Sequence, residues 1–447
     1  MRCVNIDHRE KSIEFGGNMR IDRLALKNFK KFEAFTLDLH PQFTLLVGGN
    51  GSGKTSILDA LAVGVSLWIS WGRSQIKDIT SKDVRLVPKK VADRVQFHEH
   101  LPVSVKAWGQ IGSQNGLEWE RIFDTGAQWL LKDEARTAID QLRNGDRLPL
   151  PYEWPVIAFY GVTRAALSPD KPNNINVSLD IERRDDAYRH WLNERMDYDE
   201  LRRWFYREMA AAGASGGRKR PGYEVVRRAV FGCLPEADDL WFDIDQADLI
   251  CSIAGQAQPL RNLSDGQRML LAMVADIAVK AVTLNAHLLP SDELGPEDAP
   301  LPRVLRKTPG VVLIDELDLH LHPSWQRRVA ADLKRTFPSI QFVCTTHSPQ
   351  IIGELPREQI RIITDEMAYS PGHSFGVDSS RILEEIMGTR PRAESMDKLL
   401  TKFARQVGED DFDGARATLQ QAADELGEND PDITRGRTLM AFMEQHS

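Results

Sequence analysis

The sequence predicts an α/β fold in which a mixed central sheet is flanked by helices and joined to an antiparallel β subdomain. Continuous apolar runs typical of buried strands are separated by segments with helical spacing, which favours parallel strands with covering helices. Two early stretches instead alternate apolar and polar residues, which is typical of half-buried antiparallel strands. The buried runs are "QFTLLV", "WPVIAFYG", "GVVLID" and "IQFVCTT".

The first lobe is expected to span residues 19–164. Alternation in "RIDRLAL" and "EAFTLDL" predicts two strands, and a helix is expected from about Thr55. The pieces "VSVKAWG" and "LEWERIF", within 76–125, predict the small antiparallel sheet. Residues 1–18 are polar and lack the apolar stretch of a signal peptide, so we interpret them as an N-terminal extension or place the true start at Met19.

Three further segments follow the first lobe. Residues 165–238 place apolar residues at helical spacing among many charges, with "AAAGASGGRKRPG" between them, which predicts a short helical arm with a flexible hinge or tip. Residues 239–366 are expected to form a second lobe with a long helix after Ser264. Residues 367–447 are expected to form a helical tail, with Gly427 as a helix stop.

The charge balance excludes a protein whose main task is to coat nucleic acid. The net charge at pH 7 is −8, so any nucleic-acid contact must be a local patch. Basic pairs in the arm are candidates for such a patch, although the neighbouring Asp and Glu residues favour ordinary solvated helix faces. The pairs are Arg183–Arg184, Arg202–Arg203, Arg218–Arg220 and Arg227–Arg228.

The cysteine pattern indicates neither a zinc site nor a disulfide framework, because the four cysteines are scattered without a C-x-x-C pair. Reduced thiols are consistent with a cytoplasmic protein. No apolar run reaches the ~18 residues that a membrane-spanning helix needs, so we expect no membrane contact.

A phosphate-binding pattern, "GGNGSGKT", stands at 48–55 between a buried strand and a helix. Its glycines let backbone N–H groups curl around phosphate oxygens, and the helix N-terminus adds a favourable dipole. Lys54 is expected to reach the β- and γ-phosphates, and Thr55 to supply a hydroxyl to Mg²⁺. A plain glycine-rich turn is the alternative, which the full match in this context disfavours. The candidate binding residues are Gly48, Asn50, Gly51, Ser52, Gly53, Lys54, Thr55 and Ser56.

The second half of the candidate site is "VVLIDE" at 311–316. Four apolar residues predict a central strand, Asp315 at its end is expected to hold Mg²⁺ through its shell, and Glu316 to polarise the attacking water. On its own this pattern is equally typical of a charged strand end. Paired with the phosphate loop, it indicates nucleotide hydrolysis.

Two further stretches contain candidate residues for the nucleotide site. In "NLSDGQR" at 262–268, Ser264 and the backbone of Gly266 stand at the start of a helix, where a phosphate group can bind. The alternative is a simple capping sequence, because Ser is a good N-cap. In "TTHSP" at 345–349, His347 follows the next core strand, although a lone His after a strand is usually structural.

The stretch "LDLHLHP" contains His320 and His322, which begin two residues after Asp318. An H-x-H pair opens the metal site of several hydrolases, but a transition-metal site needs further ligands. We therefore interpret these histidines as scaffolding that shapes the turn before Pro323.

Together these stretches resemble the motifs of ABC-type ATPases, and "LDLHLHP" is similar to the pattern of the RecF and OLD branch. The stretch "LSDGQ" resembles their L-S-G-G-Q signature but has Asp265 in place of a glycine. The resemblance implies an ATPase head with ATP and Mg²⁺ as cofactors, and two subunits that sandwich two ATP molecules head to tail. It implies catalytic roles for Lys54, Glu316 and His347, the last contacting the γ-phosphate, and contacts across the dimer for Ser264, Gly266, Gln267 and Asp318.

Two features depart from that family. The Gln that usually follows the strand leading into the arm is missing from "VIAFYGVTR", so Tyr160, Thr163 and Arg164 are candidates to replace it. An aromatic residue that stacks on adenine is not evident either. Phe29 and Phe32 in "NFKKF" are candidates, and core positions are the alternative.

The distance between the motifs and the length and composition of the arm indicate which ABC-type ATPases the chain resembles. Leu263 and Asp315 lie 52 positions apart, farther than in transporter subunits. An arm of about seventy residues is too short for the coiled coil of SMC proteins. The compact head, the tryptophan-rich arm and "ILEEIMGTRPR" in the tail resemble the PtuA family, the ATPases of Septu-type and retron-linked anti-phage systems.

This resemblance implies a subunit of a bacterial anti-phage complex that regulates a separate HNH endonuclease in trans. A retron reverse transcriptase with its non-coding RNA, or DNA, is a further candidate partner. The tail lacks clustered carboxylates, so no intrinsic nuclease domain is expected. The alternative is a RecF/SMC-like DNA repair ATPase that clamps DNA directly.

Overall fold

The structure is a computed structural model. It describes residues 19–69, 76–91, 94–112, 114–124, 126–143, 153–165, 183–193, 198–214, 220–291, 294, 301–365 and 367–444. The predicted N-terminal extension lies outside these residues, and so do residues 215–219 within the predicted hinge "AAAGASGGRKRPG". The chain divides into two compact units, Met1–Gly376 and Val377–Ser447, which are described separately. The five-segment division made from the sequence stays a prediction.

Seventeen strands are described in the first unit. They are β1 Met19–Phe29, β2 Phe32–Asp38, β3 Phe43–Val47, β4 Arg85–Val91, β5 Arg94–His100, β6 Val103–Ile111, β7 Gln114–Phe123, β8 Ala127–Leu131, β9 Val156–Tyr160, β10 Leu192–Asn193, β11 Ala237–Asp243, β12 Asp248–Ile253, β13 Gln256–Pro259, β14 Gly310–Ile314, β15 Ile340–Thr345, β16 Ile360–Ile363 and β17 Ala368–Tyr369. The α-helices described there are α1 Lys54–Ile69, α2 Asp133–Arg143, α3 Tyr198–Ala214, α4 Pro221–Cys233, α5 Asp265–Leu284, α6 Arg303–Lys307, α7 Pro323–Thr336 and α8 Pro349–Gly353.

The central sheet has seven strands in the order β10-β9-β14-β15-β3-β16-β17. All neighbouring pairs are parallel except the last, so the sheet is mixed as predicted. Strands β3, β9, β14 and β15 are buried along their whole length. Strands covered on both faces favour apolar residues on both sides, which explains the largely apolar runs in the sequence.

A second sheet is antiparallel, with strand order β2-β1-β6-β7-β8, and forms the predicted β subdomain. Helix α1 contacts strands of both sheets, so it is buried on nearly all sides. The indole N–H of Trp119, on β7, donates to the carbonyl of Gly64 in α1 at 3.1 Å. A helix enclosed in this way carries apolar residues all round, as the sequence of α1 does. The predicted α/β fold class is confirmed.

The predicted arm is only partly helical in the described residues. Helix α3 begins at Tyr198, whereas residues 184–193, which also carry helical spacing, form a 3-10 turn and the edge strand β10. Tyr188 donates its hydroxyl to the carbonyl of Pro155 at 2.7 Å, and Leu192 pairs with Phe159. Burial against the edge of the central sheet therefore overrides the local helical pattern.

Helices α3 and α4 pack against neighbouring elements of the first unit. They contact β11 and α5, and α4 also contacts α7. Phe205 is fully buried between two aromatic rings, and the hydroxyl of Tyr223 donates to the carbonyl of Leu240 at 3.1 Å. The apolar face of this segment is thus used for packing within the unit.

The second unit contains a helical turn, α9 Ser379–Arg381, a π-helical turn at Ile382–Ile386, and three longer helices. These are α10 Glu394–Gly408, α11 Phe412–Leu426 and α12 Pro431–Glu444, which share one core. Gly427 caps α11 with φ +89°, as predicted. The sequence analysis did not identify α12 as a separate helix. Its buried positions include Gly436, which lies against Leu419, so the apolar periodicity is weak.

Candidate nucleotide-binding and hydrolysis site

The motifs of the first unit meet at one edge of the central sheet. Strands β9, β14, β15 and β3 are neighbours and run parallel, so their carboxyl ends lie side by side. Ligands of open α/β sheets bind in the crevice beyond such ends. The phosphate loop follows β3, Asp315 follows β14, and His347 follows β15.

The phosphate loop is shaped by two glycines in the left-handed region. Gly51 has φ +73° and Gly53 has φ +102°. A Cβ atom at Gly53 would also overlap the ring of Phe32, so this position requires glycine for two reasons. Lys31 donates to the carbonyl of Gly51 at 2.6 Å and supports the loop from outside. Asn50 and Gly51 are exposed, whereas Gly48, Ser52 and Ser56 are half-buried.

The two aromatic candidates for adenine stacking are core residues. Phe29 is 0% and Phe32 is 1% exposed. The ring of Phe32 packs beneath the phosphate loop, where it fills space beside Gly53. Neither ring has a free face for a base.

Lys54 lies at the centre of the loop, and its ammonium group donates to the carbonyls of Gly48 at 2.7 Å and Gly49 at 3.2 Å. Burial lowers the pKa of Lys54, while the nearby carboxylates of Asp315 and Glu316 act in the opposite direction. The ammonium is therefore held in the loop by weak neutral acceptors. An anionic phosphate would be a stronger acceptor at this position.

A chain of hydrogen bonds links the phosphate loop to the end of β14. The hydroxyl of Thr55 donates to one carboxylate oxygen of Asp315 at 3.0 Å, and Thr345 donates to the other at 2.6 Å. The backbone N–H of Glu316 donates to the hydroxyl of Thr345 at 2.7 Å. The sequence analysis assigned no role to Thr345. Its signal is a polar residue at the end of a fully buried, mostly apolar strand.

The residues present fit a magnesium–nucleotide complex. Thr55 and Asp315 offer one hydroxyl and one carboxylate, and Mg²⁺ is usually held by one or two carboxylates together with substrate phosphates and water. The hydroxyl of Ser52 is buried in the loop without a hydrogen-bond partner. An unpaired buried hydroxyl calls for a missing partner, and a phosphate oxygen would satisfy it.

The three candidates for the missing Gln have different environments. The hydroxyl of Tyr160 donates to Asp276 on α5 at 2.6 Å, and burial raises the pKa of Tyr160 well above its usual value. Thr163 is exposed. Arg164 is 1% exposed and donates to the carbonyl oxygens of Asp315 and, at 2.5 Å, of Glu316. The side chain of Arg164 thus donates to the backbone that carries the candidate catalytic residues.

The signature stretch begins α5 as expected. Ser264 is the N-cap, and its hydroxyl accepts from the backbone N–H of Gln267 at 3.3 Å. The side chain of Gln267 accepts from the N–H of Ser264 at 3.1 Å, which completes a capping box. Asp265 accepts from Arg268. The capping role is thus present, and at the N-terminus of this long helix Ser264 remains exposed and Gln267 half-buried.

The loop after Glu316 contacts the stretch that contains His347 and the signature stretch. A carboxylate oxygen of Asp318 accepts from the hydroxyl of Thr346 at 2.6 Å and from the backbone N–H of His347 at 3.2 Å. His320 has φ +58°, and its carbonyl lies against Gly266 of the signature. The loop that carries Asp318 and His320 therefore contacts both the His347 stretch and the signature stretch.

The side chain of His322 caps a helix. Nδ1 of His322 accepts from the backbone N–H of Ser324 at 3.3 Å and caps α7 just before Pro323. Across the described ranges, no group of three or more His, Cys, Asp or Glu side chains is placed to hold a metal ion. The interpretation of His322 as scaffolding is confirmed.

Gly266→Ala is expected to destabilise the first unit by about 1–3 kcal/mol, because the new methyl group overlaps the His320 carbonyl and the backbone must shift. Chemical denaturation of the purified chain measures this difference. Gly213→Ala, in α3 with open space around it, is the matched control and should be neutral or stabilising. Equal stability of Gly266→Ala and wild type would contradict the contact between the two motifs.

Two family profiles match the chain. The first, described as "AAA domain", matches residues 23–126, which include the phosphate loop. The second, described as "AAA domain, putative AbiEii toxin, Type IV TA system", matches residues 253–353, which include the signature, Asp315 and His347.

Curated relatives extend over more of the chain. It is similar to the Retron Ec83 probable ATPase of Escherichia coli, with 25% identity over 91% of this chain and 84% of that protein. It is also similar to the Septu protein PtuA of Bacillus mycoides (strain KBAB4), with 30% identity over 78% of this chain. The chain covers 41% of that second relative's length.

A solved structure with a similar fold is the SMC head in the crystal structure of the SmcHead bound to the C-winged helix domain of ScpA. The TM-score is 0.46 and the identity 16%, over 79% of this chain and 97% of that one. In the part of this chain that the structure describes, no helix is long and apolar enough to cross a membrane.

Proposed function

We propose, from the premise that this chain is an ABC-type P-loop ATPase similar to the retron and Septu ATPases, that it binds and hydrolyses ATP in an anti-phage defence system. One observation supports the proposed hydrolysis of ATP. The hydrogen-bonded chain from Thr55 through Asp315 and Thr345 to Glu316 joins a phosphate loop to a candidate base. The setting we propose is the cytoplasm.

Each residue has a distinct role in the proposed reaction. Lys54 and the loop N–H groups bind the phosphates, and Thr55 with Asp315 would hold Mg²⁺. Bound Mg²⁺ neutralises charge that develops on the phosphate oxygens. Glu316 accepts a proton from the attacking water, and His347 orients the γ-phosphate.

We propose that two chains act together, head to tail. Ser264 is exposed and Gln267 half-buried at the N-terminus of α5, where backbone N–H groups and the helix dipole favour a phosphate. The Gly266–His320 contact joins this signature to the loop that carries Asp318. Engagement of a partner's nucleotide is thus coupled to the chain's own hydrolysis site.

We propose that the ATPase controls a separate HNH endonuclease. A retron reverse transcriptase with its RNA, or DNA, is a further proposed partner. Support comes from the similarity to ATPases named for retron and Septu systems. The alternative, a direct DNA clamp, has less support because arginines in the described part of the arm form ion pairs with neighbouring carboxylates. Arg202 pairs with Asp199 at 3.2 Å, and Arg227 with Glu224 at 2.8 Å.

Removal of divalent cations should abolish ATP hydrolysis. Thr55 is neutral and Asp315 carries a negative charge, so neither side chain can neutralise the phosphate oxygens without Mg²⁺. Asp315→Asn should raise the Mg²⁺ concentration needed for half-maximal phosphate release about tenfold or more, since one ligand charge is lost. Asp332→Asn is the control, because Asp332 is equally buried but pairs with Arg328 and Arg335 on α7. An unchanged Mg²⁺ requirement in Asp315→Asn would exclude the assigned metal role.

The partner proposal is tested by native mass spectrometry of the complex expressed with its neighbouring genes and purified in MgATP. An oligomer that contains a small HNH protein is the expected result. A dimer without any such partner, which also binds DNA with a steep salt dependence, would favour the DNA-clamp alternative.

A further inference from the structure

The backbone of Glu316 has a conformation that its residue type seldom adopts. Its φ is +50°, in the left-handed region, where a residue with a Cβ atom is disfavoured. Such a conformation persists only where the surrounding structure holds it, and it sets the direction of the side chain. The groups that hold this peptide therefore decide where the carboxylate points.

Two side chains hold the peptide from opposite sides. On one side, Thr345 of β15 accepts the N–H of Glu316 at 2.7 Å, and its carbonyl accepts the N–H of Leu317 at 2.8 Å. On the other side, Nη1 of Arg164 donates to the carbonyl of Asp315, and Nη2 donates to that of Glu316 at 2.5 Å. The planar guanidinium spans two successive carbonyls, which a single ammonium group cannot do in the same geometry.

Arg164 is itself firmly anchored. Its Nη1 also donates to the carbonyl of Gly161 at 2.9 Å, so the segment after β9 folds back under β14. At the start of that segment, Tyr160 is held by Asp276, and its carbonyl accepts the N–H of Asp315 at 2.9 Å. A donor on rigid support fixes geometry better than one on a mobile loop.

The burial of Arg164 is unusual for a charged residue that makes no ion pair with the described part of the chain. Its side chain is 1% exposed, and among the described residues its Nε has no hydrogen-bond partner. Burial lowers the pKa of Arg164 to about 10, which still leaves it protonated at neutral pH. The hydrogen bonds of the guanidinium go to backbone carbonyls of the described residues, and the nearby carboxylates of Asp315, Glu316 and Asp318 favour its charged form. Its position therefore ties this cation to the backbone and charges of the candidate site.

We propose that Arg164 is a positioning residue for hydrolysis: it holds the Asp315–Glu316 peptide so that the Glu316 carboxylate faces the attacking water. It occupies the place in the chain where the family's Gln is missing, and it acts through Glu316 instead of touching the nucleotide. This inference rests on the proposed ATPase function.

The test compares Arg164→Met and Arg164→Lys with wild type in the full-length chain, with steady-state phosphate release at saturating Mg²⁺. Loss of a precise orientation lowers the rate by up to about 100-fold. We expect kcat to fall 10- to 100-fold for Arg164→Met, while KM for ATP and nucleotide affinity change less than about threefold. Arg164→Lys should lie between Arg164→Met and wild type, because one of the two carbonyl bonds is regained.

A matched control separates positioning from general stability. Arg121 is 8% exposed and pairs with Asp78 far from the site, on β7 of the antiparallel sheet. Arg121→Met should lower the melting temperature and leave kcat unchanged. In the Glu316→Gln background, Arg164→Met should not lower the residual rate further, because groups that act as one unit are not additive.

Three outcomes would overturn the proposal. They are a wild-type kcat in Arg164→Met, a drop that appears in KM or ATP binding instead of kcat, and full additivity with Glu316→Gln. The proposed function is judged separately, by whether the wild-type chain hydrolyses ATP and Glu316→Gln does not. A wild-type chain without hydrolysis would overturn both.

Discussion

Glu316→Gln is expected to bind ATP as wild type does and to lose nearly all hydrolysis. The amide has the size and shape of the carboxylate but cannot accept a proton from water at neutral pH. Removal of a positioned general base lowers the rate by about 10²–10⁴-fold. Binding survives because Lys54, Thr55 and the loop backbone are untouched, and the hydrogen bonds to the Glu316 backbone remain.

Phosphate release at saturating MgATP measures the rate, and equilibrium binding of a fluorescent ATP analogue measures the affinity. Glu354→Gln is the matched control, because Glu354 lies on the surface in an ion pair with Arg327. Its turnover should equal that of wild type. Normal turnover in Glu316→Gln would remove Glu316 from its assigned role, and loss of binding would show that the change had damaged the site.

Ser264→Arg is expected to abolish hydrolysis and ATP-dependent dimerisation, because an arginine at the exposed N-terminus of α5 blocks the neighbouring chain's nucleotide. Lys54→Ala is also expected to be inactive, because phosphate binding is lost. A mixture of the two should regain activity, since one of the two composite sites then has an intact loop and an intact signature. Random exchange in a two-fold dimer restores about a quarter of the sites.

Phosphate release of the mixture, beside each variant alone, measures this recovery, and size-exclusion chromatography with MgATP measures dimerisation. Ser380→Arg is the control, because Ser380 is exposed at the start of α9 and distant in sequence from the motifs. Ser264→Arg also loses an N-cap worth about 1 kcal/mol, so its melting temperature must be recorded. No recovery from two folded, exchangeable variants would refute the head-to-tail geometry.

The sequence was a good guide where one physical pattern extended over several consecutive residues. Buried parallel strands favour apolar side chains on both faces, so β3, β9, β14 and β15 were evident as mostly apolar runs, with Thr44 and Gln341 as polar exceptions. It was a poor guide where a local pattern competed with tertiary contacts. Residues 184–193 have helical spacing, yet they form a 3-10 turn and an edge strand because Tyr188 and Trp191 are buried beside β9.

The sequence by itself determined the nucleotide motifs, because phosphate binding needs particular residues at adjacent positions. The glycines lie in one loop, Lys54 and Thr55 begin the helix that follows it, and Asp315 and Glu316 come directly after one strand. The order of these motifs along the chain was sufficient to predict the fold class and the chemistry.

Only the tertiary structure decided which other residues complete the site. Arg164, in the 3-10 turn after β9, and Thr345, at the end of β15, reach the Asp315–Glu316 peptide from 151 and 30 positions away in the sequence. Phe29 and Phe32 were candidates for a ligand contact and are core residues, because burial depends on which element packs above them. Residues that act through long-range contacts leave no local pattern, since their partners become neighbours only when the sheet assembles.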